Sequence, residues 1–97
     1  MRIRPRKDKN HAAIVKALRG VGATVADTSA MGSGIPDLIA GYKGVNVWIE
    51  VKDGPGSLTD DQLDFIAAWR GGQVRVCRTV DEALRAIGAI PDKGSRF

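Results

Sequence analysis

The stretch from residue 34 to 54, GIPDLIAGYKGVNVWIEVKDG, limits the possible folds more than any other part of the chain. Two apolar runs, Pro36 to Tyr42 and Val45 to Val51, flank Lys43-Gly44, which reads as a two-residue hairpin turn. Facing residues in such a hairpin keep a constant sum of position numbers. Asp37 is therefore expected opposite Glu50, with Cβ atoms roughly 4.5–5.5 Å apart. Strand alternation puts Lys52 and Trp48 on the face of Glu50 and leaves Leu38, Ala40, Val47, Ile49 and Val51 on the other, as a core face. A register shift of one residue would move a carboxylate to the opposite face.

The rest of the chain supplies partners for this hairpin. From about Asp8 to Gly20, Ile14, Ala17, Leu18 and Val21 follow helical spacing. Ala23 to Thr28 reads as a short strand, and Ser29 to Gly34 as a Gly/Ser-rich loop. After a loop from Asp53 to Ser57, Thr59-Asp60-Asp61-Gln62 matches a capping box opening a helix to about Arg70, before Gly71-Gly72. Gln73 to Arg78 alternates like a strand, and Thr79-Val80-Asp81-Glu82 is a second capping-box match, for a helix to about Ile87. The order is an α/β domain: a small central mixed β-sheet flanked by helices, of order helix, three strands, helix, strand, helix. A chain of 97 residues suits one domain, here 8–90, between a basic N-terminal arm, 1–7, and a polar tail, 91–97.

The formal net charge is +4 and the isoelectric point about 9.6, a balance that leans toward nucleic acid. Cys77 is the only cysteine, so there is no internal disulfide, and no Cys/His cluster points to zinc. The basic N-terminus lacks the apolar stretch of a signal peptide, and no apolar run approaches membrane-spanning length. A cytoplasmic protein with no membrane partner is the expectation.

Two facing carboxylates repel and destabilise a sheet unless something offsets them. A divalent cation with oxygen ligands does so directly, and Mg²⁺ keeps waters that can serve as nucleophile beside a phosphate oxygen. Lys52 beside it could orient that water or stabilise charge developing on phosphate. This is the chemistry of phosphodiester hydrolysis. The alternative reading of the same residues is a solvent-facing charge cluster in which Lys52 pairs with the acids.

Pro36-Asp37 followed by Glu50-Val51-Lys52 resembles the PD-(D/E)xK nuclease signature. The fuller set, GSGIPDLI, then WIEVKDGP, then LTDDQ, resembles the VRR-NUC family, and within it the small stand-alone VRR-NUC proteins of bacteriophages. The likeness covers roughly residues 8 to 88. It implies a restriction-endonuclease-like fold and a Mg²⁺- or Mn²⁺-dependent DNA endonuclease. Asp37, Glu50 and the carbonyl of Val51 would be metal ligands, Lys52 the catalytic lysine, and Gln62 the additional site glutamine. Many members carry Glu at the start of the first helix. This chain has Asn10-His11, so Asn10 is the best match, and His11 stands where phage members carry Gln. The resemblance also implies a homodimer that resolves four-way (Holliday) junctions.

Each assignment has a competing role. Asn10 fits a helix N-cap, and His11 an exposed residue of the first turn, the role favoured for it. Gln62, as third residue of a capping box, would bond the backbone at Thr59, and one amide is not expected to fill both roles fully. Arg2, Arg4, Arg6, Lys7 and Lys9 form a basic arm suited to phosphates, or else a solvated tail. Ser33 and the glycines around it lead into Pro36-Asp37 and would let backbone approach a phosphodiester. Trp48 and Trp69 read as core or dimer-interface residues rather than base-stacking platforms. The competing function is a non-catalytic DNA-binding module with a nuclease-like fold; a plain interaction domain is a further alternative. On the nuclease reading, Asp37→Ala or Lys52→Ala abolishes cleavage with the fold intact.

Overall fold

The computed structural model describes residues 9 to 91, so Arg2, Arg4, Arg6, Lys7 and most of the C-terminal tail lie outside it. Among the described residues the order is α1 (His11–Gly20), β1 (Thr24–Asp27), β2 (Leu38–Tyr42), β3 (Val45–Val51), α2 (Asp60–Ala68), β4 (Val74–Cys77) and α3 (Val80–Ala86). The strands form one sheet in the order β1-β2-β3-β4. The first two pairings are antiparallel and β3–β4 is parallel, with α2 as the crossover. This is the expected mixed α/β architecture. No helix of the described residues is long and apolar enough to cross a membrane.

The hairpin has the expected register: Leu38 pairs with Ile49, Ala40 with Val47 and Tyr42 with Val45. Its turn places Lys43 at φ 49 and Gly44 at φ 82, the left-handed pair of a type I′ turn, which matches the twist of the flanking strands. Leu38, Ala40, Val47, Ile49 and Val51 are buried with Ile14, Leu18, Val25 and Ala83 beneath α1 and α3. The opposite face is covered only in part, by α2. Trp48 meets Phe65 and Trp69 edge to face there, with ring centroids 5.7 and 5.6 Å apart, and Phe65 stacks on Trp69 at 5.2 Å. Trp48 is thus a packing residue of this second layer.

Three local features differ from the sequence-based expectations. α1 starts at His11, three residues later than Asp8, so His11, Ile14 and Leu18 form its inward stripe. His11 is accordingly buried, at 6 % exposure, not an exposed first-turn residue. β2 starts at Leu38 rather than Pro36: Pro36 has no N–H, and the side chain of Asp37 takes over the next bond to β3. The second capping box is not reciprocal. Thr79 accepts from the Glu82 N–H, but the Glu82 carboxylate accepts from the N–H of Arg78, one residue before the cap.

Cys77 is buried at the end of β4 and its thiol is pushed up to about 11 by burial. The unfolded thiol ionises near 9.0, so the unfolded chain loses its proton first as pH rises. The contribution of Cys77 is fully present below about pH 9 and lost toward pH 11. A urea titration series across that window is expected to show falling stability that Cys77→Ala abolishes, and native Cys77 is expected to resist iodoacetamide at pH 8.

Candidate active site

The two acids of the hairpin sit at its open end, beyond the last paired residues of β2. The last pair of the hairpin is Leu38 with Ile49, and Asp37 and Glu50 are the next residue on each side. Asp37 Oδ2 accepts from the N–H of Val51 at 2.8 Å, so a side chain replaces the main-chain acceptor that an extended β2 would have supplied. In extended backbone the N–H and C=O of one residue point to the same strand edge. The Val51 carbonyl therefore points toward Asp37, while Lys52 N–H turns the other way, to the carbonyl of Cys77 at 3.1 Å.

Glu50 is 3 % exposed. A carboxylate at that depth needs polar partners, and its Oε2 accepts from Gln62 Nε2 at 3.0 Å. Gln62 also closes the capping box: its Oε1 accepts from Thr59 N–H at 2.9 Å, and its own N–H donates to Thr59 Oγ1 at 3.2 Å. One amide does fill both roles, because its oxygen faces the helix start while its nitrogen faces the acid. The cap thus fixes the rotamer of the side chain that orients Glu50.

Lys52 follows on the same face and is half-buried, and among the described residues no ion pair joins it to Asp37 or Glu50. At its depth Glu50 is not a solvent-facing member of a surface charge cluster. Among the described residues no three His, Cys, Asp or Glu side chains are gathered as a metal cluster. The expected donor set is smaller: the carboxylates of Asp37 and Glu50 and the carbonyl of Val51. These are hard oxygen donors carried at one hairpin end, a donor type that fits a cation such as Mg²⁺, which completes its shell with water.

Asn10 lies at the N-cap of α1 but makes no side-chain cap bond. Its Nδ2 donates instead to the carbonyls of Lys52 at 3.0 Å and Arg78 at 2.6 Å, while its Oδ1 is buried without a protein partner. It ties α1 to the ends of β3 and β4. His11 lies beside a different carboxylate, with Nε2 3.7 Å from Asp27 Oδ2. Asn10→Ala leaves two carbonyls without their donor and is expected to lower stability by about 1–2 kcal/mol in urea denaturation. Asn10→Asp, a carboxylate against two carbonyls, is expected to cost more.

Ser33 is exposed in a left-handed backbone, φ 57, between Gly32 and Gly34. The close approach made by this loop is internal: a β-carbon on Gly34 would stand 2.1 Å from the carbonyl oxygen of Asp61. Gly34 is thus required by α2, a role its sequence neighbourhood does not reveal. A second residue not singled out from sequence is Arg78, whose guanidinium holds the loop after Lys52. Comparison of the chain with protein-family models, curated proteins and solved structures returns no match.

Proposed function

We propose that the chain is a Mg²⁺- or Mn²⁺-dependent, structure-selective DNA endonuclease of the VRR-NUC kind, acting as a homodimer on four-way junctions. The observation that carries this reading is that Asp37 and Gln62 both reach the end of β3 that carries Glu50 and Lys52: Asp37 accepts from Val51 N–H, and Gln62 donates to the buried Glu50. Asp37, Glu50 and the Val51 carbonyl are the residues that would hold the cation. When bound, it would stabilise charge on the phosphate and make water a better nucleophile. Hydrolysis adds water across one P–O bond and leaves a phosphate monoester and a hydroxyl. Lys52 supplies positive charge where the phosphate becomes more negative, and Gln62 keeps Glu50 in one orientation.

Charge around the site favours one direction of approach. Asp60, Asp61 and Asp64 are all exposed on α2 and repel a polyanion from that flank. Lys9, Lys52 and Arg78 carry the opposite sign. One subunit makes one cut, whereas a twofold dimer makes the paired cuts that a junction of similar symmetry requires. Such an enzyme would act in the bacterial cytoplasm or a phage-infected host cell.

The test is cleavage of an end-labelled four-way junction beside linear duplex and single strand, with Mg²⁺, Mn²⁺ or EDTA, and with Lys52→Ala to exclude a contaminant. Paired symmetric cuts that disappear with EDTA and in the variant are expected. Equal cutting of duplex would remove the junction preference. Tight binding without cutting of any substrate would leave the non-catalytic DNA-binding module.

A further inference from the structure

Arg78 follows β4 and touches the segments that frame the proposed site. Its Nη1 donates to the carbonyls of Gly54 and Gly56, at 2.7 and 2.9 Å. Its main-chain carbonyl accepts from Asn10 Nδ2, the same nitrogen that donates to the Lys52 carbonyl. Its N–H donates to the Glu82 carboxylate at the start of α3. The residue is therefore anchored through its main chain to α1 and α3, and its side chain reaches from that anchor to the loop that leaves β3 directly after Lys52.

That loop needs an external hold. Its internal main-chain bond runs from Gly56 N–H to the Asp53 carbonyl at 3.1 Å, and Gly54 is left-handed at φ 49. Two glycines in four residues make it a soft segment by composition. The Arg78 bonds land on both sides of Pro55, and a charged donor makes them stronger than neutral ones.

Lys52 lies against this loop: a β-carbon on Gly56 would stand 3.8 Å from Lys52 Cδ. A lysine ammonium on its flexible stem needs something to restrict it. Among the described residues no ion pair does so, and the stem of Lys52 runs beside Gly56 of this loop. Misplacement of a reacting group by about 1 Å can cost roughly 10²-fold in rate, so the firmness of this loop matters.

We propose that Arg78 is a positioning residue for the cleavage reaction: its guanidinium fixes the loop from Asp53 to Ser57, and through Gly56 it fixes the ammonium of Lys52. The proposal rests on the nuclease reading of the site. It assigns Arg78 no contact with the reacting atoms.

The experiment compares full-length wild type, Arg78→Ala and Arg78→Lys by three measurements. These are amide hydrogen exchange across residues 53–57, ¹³Cε NMR of labelled lysine with Lys52→Ala to assign the signal, and steady-state junction cleavage with Mg²⁺. For Arg78→Ala we expect faster exchange confined to the loop and a motionally averaged Lys52 signal. Its kcat should fall about 10- to 100-fold with KM within about twofold. Arg78→Lys, which keeps a cationic donor, should recover most of the loss. An unchanged Lys52 signal, or a fall expressed in KM alone, would overturn the proposal and make Arg78 a structural or DNA-contacting residue. If wild type cuts no substrate, the nuclease reading fails on its own. Exchange and the Lys52 signal then still decide whether Arg78 positions Lys52.

Discussion

Asp37→Asn is expected to lower Mg²⁺-dependent cleavage by about 10²–10³-fold, the loss typical of removing one group that stabilises transition-state charge, while the fold keeps its stability. The asparagine oxygen can still accept from Val51 N–H, the bond that Asp37 Oδ2 makes at 2.8 Å. Asp37→Ala should lose cleavage to the same extent and also leave that N–H without its partner, at about 1–3 kcal/mol of stability. The two variants separate the roles that one carboxylate combines: charge for the proposed cation and acceptor for the end of the ladder. Lys52→Ala provides the comparison, because its ammonium has no hydrogen bond or ion pair among the described residues. Its cleavage should fall similarly with an unchanged urea midpoint. Wild-type turnover by Asp37→Asn would remove Asp37 from the proposed site, and equal midpoints for Asn and Ala would remove its structural role.

This difference between the variants also marks where sequence reading ends. The hairpin was legible because a two-residue turn fixes every facing pair, and strand alternation then sorts core from site residues. Both helix starts after β3 were legible from Thr59 and Thr79, since a cap is a local signal. What local signals do not carry is the destination of a polar side chain once it leaves its own element. Asn10 sits where a cap residue belongs, yet its amide bridges Lys52 and Arg78, far along the chain. Gln62 was recognisable in each of two roles, but only the fold shows that opposite ends of its amide fill them. Arg78 belongs to no motif. Its importance appears only when the crossover through α2 returns the chain parallel to β3 and beside the loop after Lys52. His11 is buried rather than exposed because the start of α1 decides which residues face inward, and a helix start without a side-chain cap is weakly marked in sequence.

The glycines before Asp37 give the sharpest stability contrast. Gly32 and Gly34 both have left-handed backbone, φ 69 and 78, so alanine at either pays a conformational penalty of roughly 1–2 kcal/mol. At Gly32 the penalty should end there, because a β-carbon would meet open space. At Gly34 it would stand 2.1 Å from Asp61 O and 2.5 Å from Asp61 C, main-chain atoms of the first turn of α2 that no rotamer change can move aside. Gly34→Ala is therefore expected to destabilise the protein by about 3 kcal/mol or more, against about 1–2 kcal/mol for Gly32→Ala, read from urea midpoints. The same push reaches the proposed site. The displaced turn carries Gln62, whose amide spans Thr59 and Glu50, so Gly34→Ala should also lower cleavage under conditions where it remains folded, and Gly32→Ala should not. Equal midpoints for the two variants would mean that the loop yields at Gly34 without disturbing α2. A destabilised Gly34→Ala with undiminished turnover would mean that Glu50 keeps its orientation without Gln62. The expected pairing of both losses follows from one geometric fact: the loop before one acid is packed against the helix that holds the other.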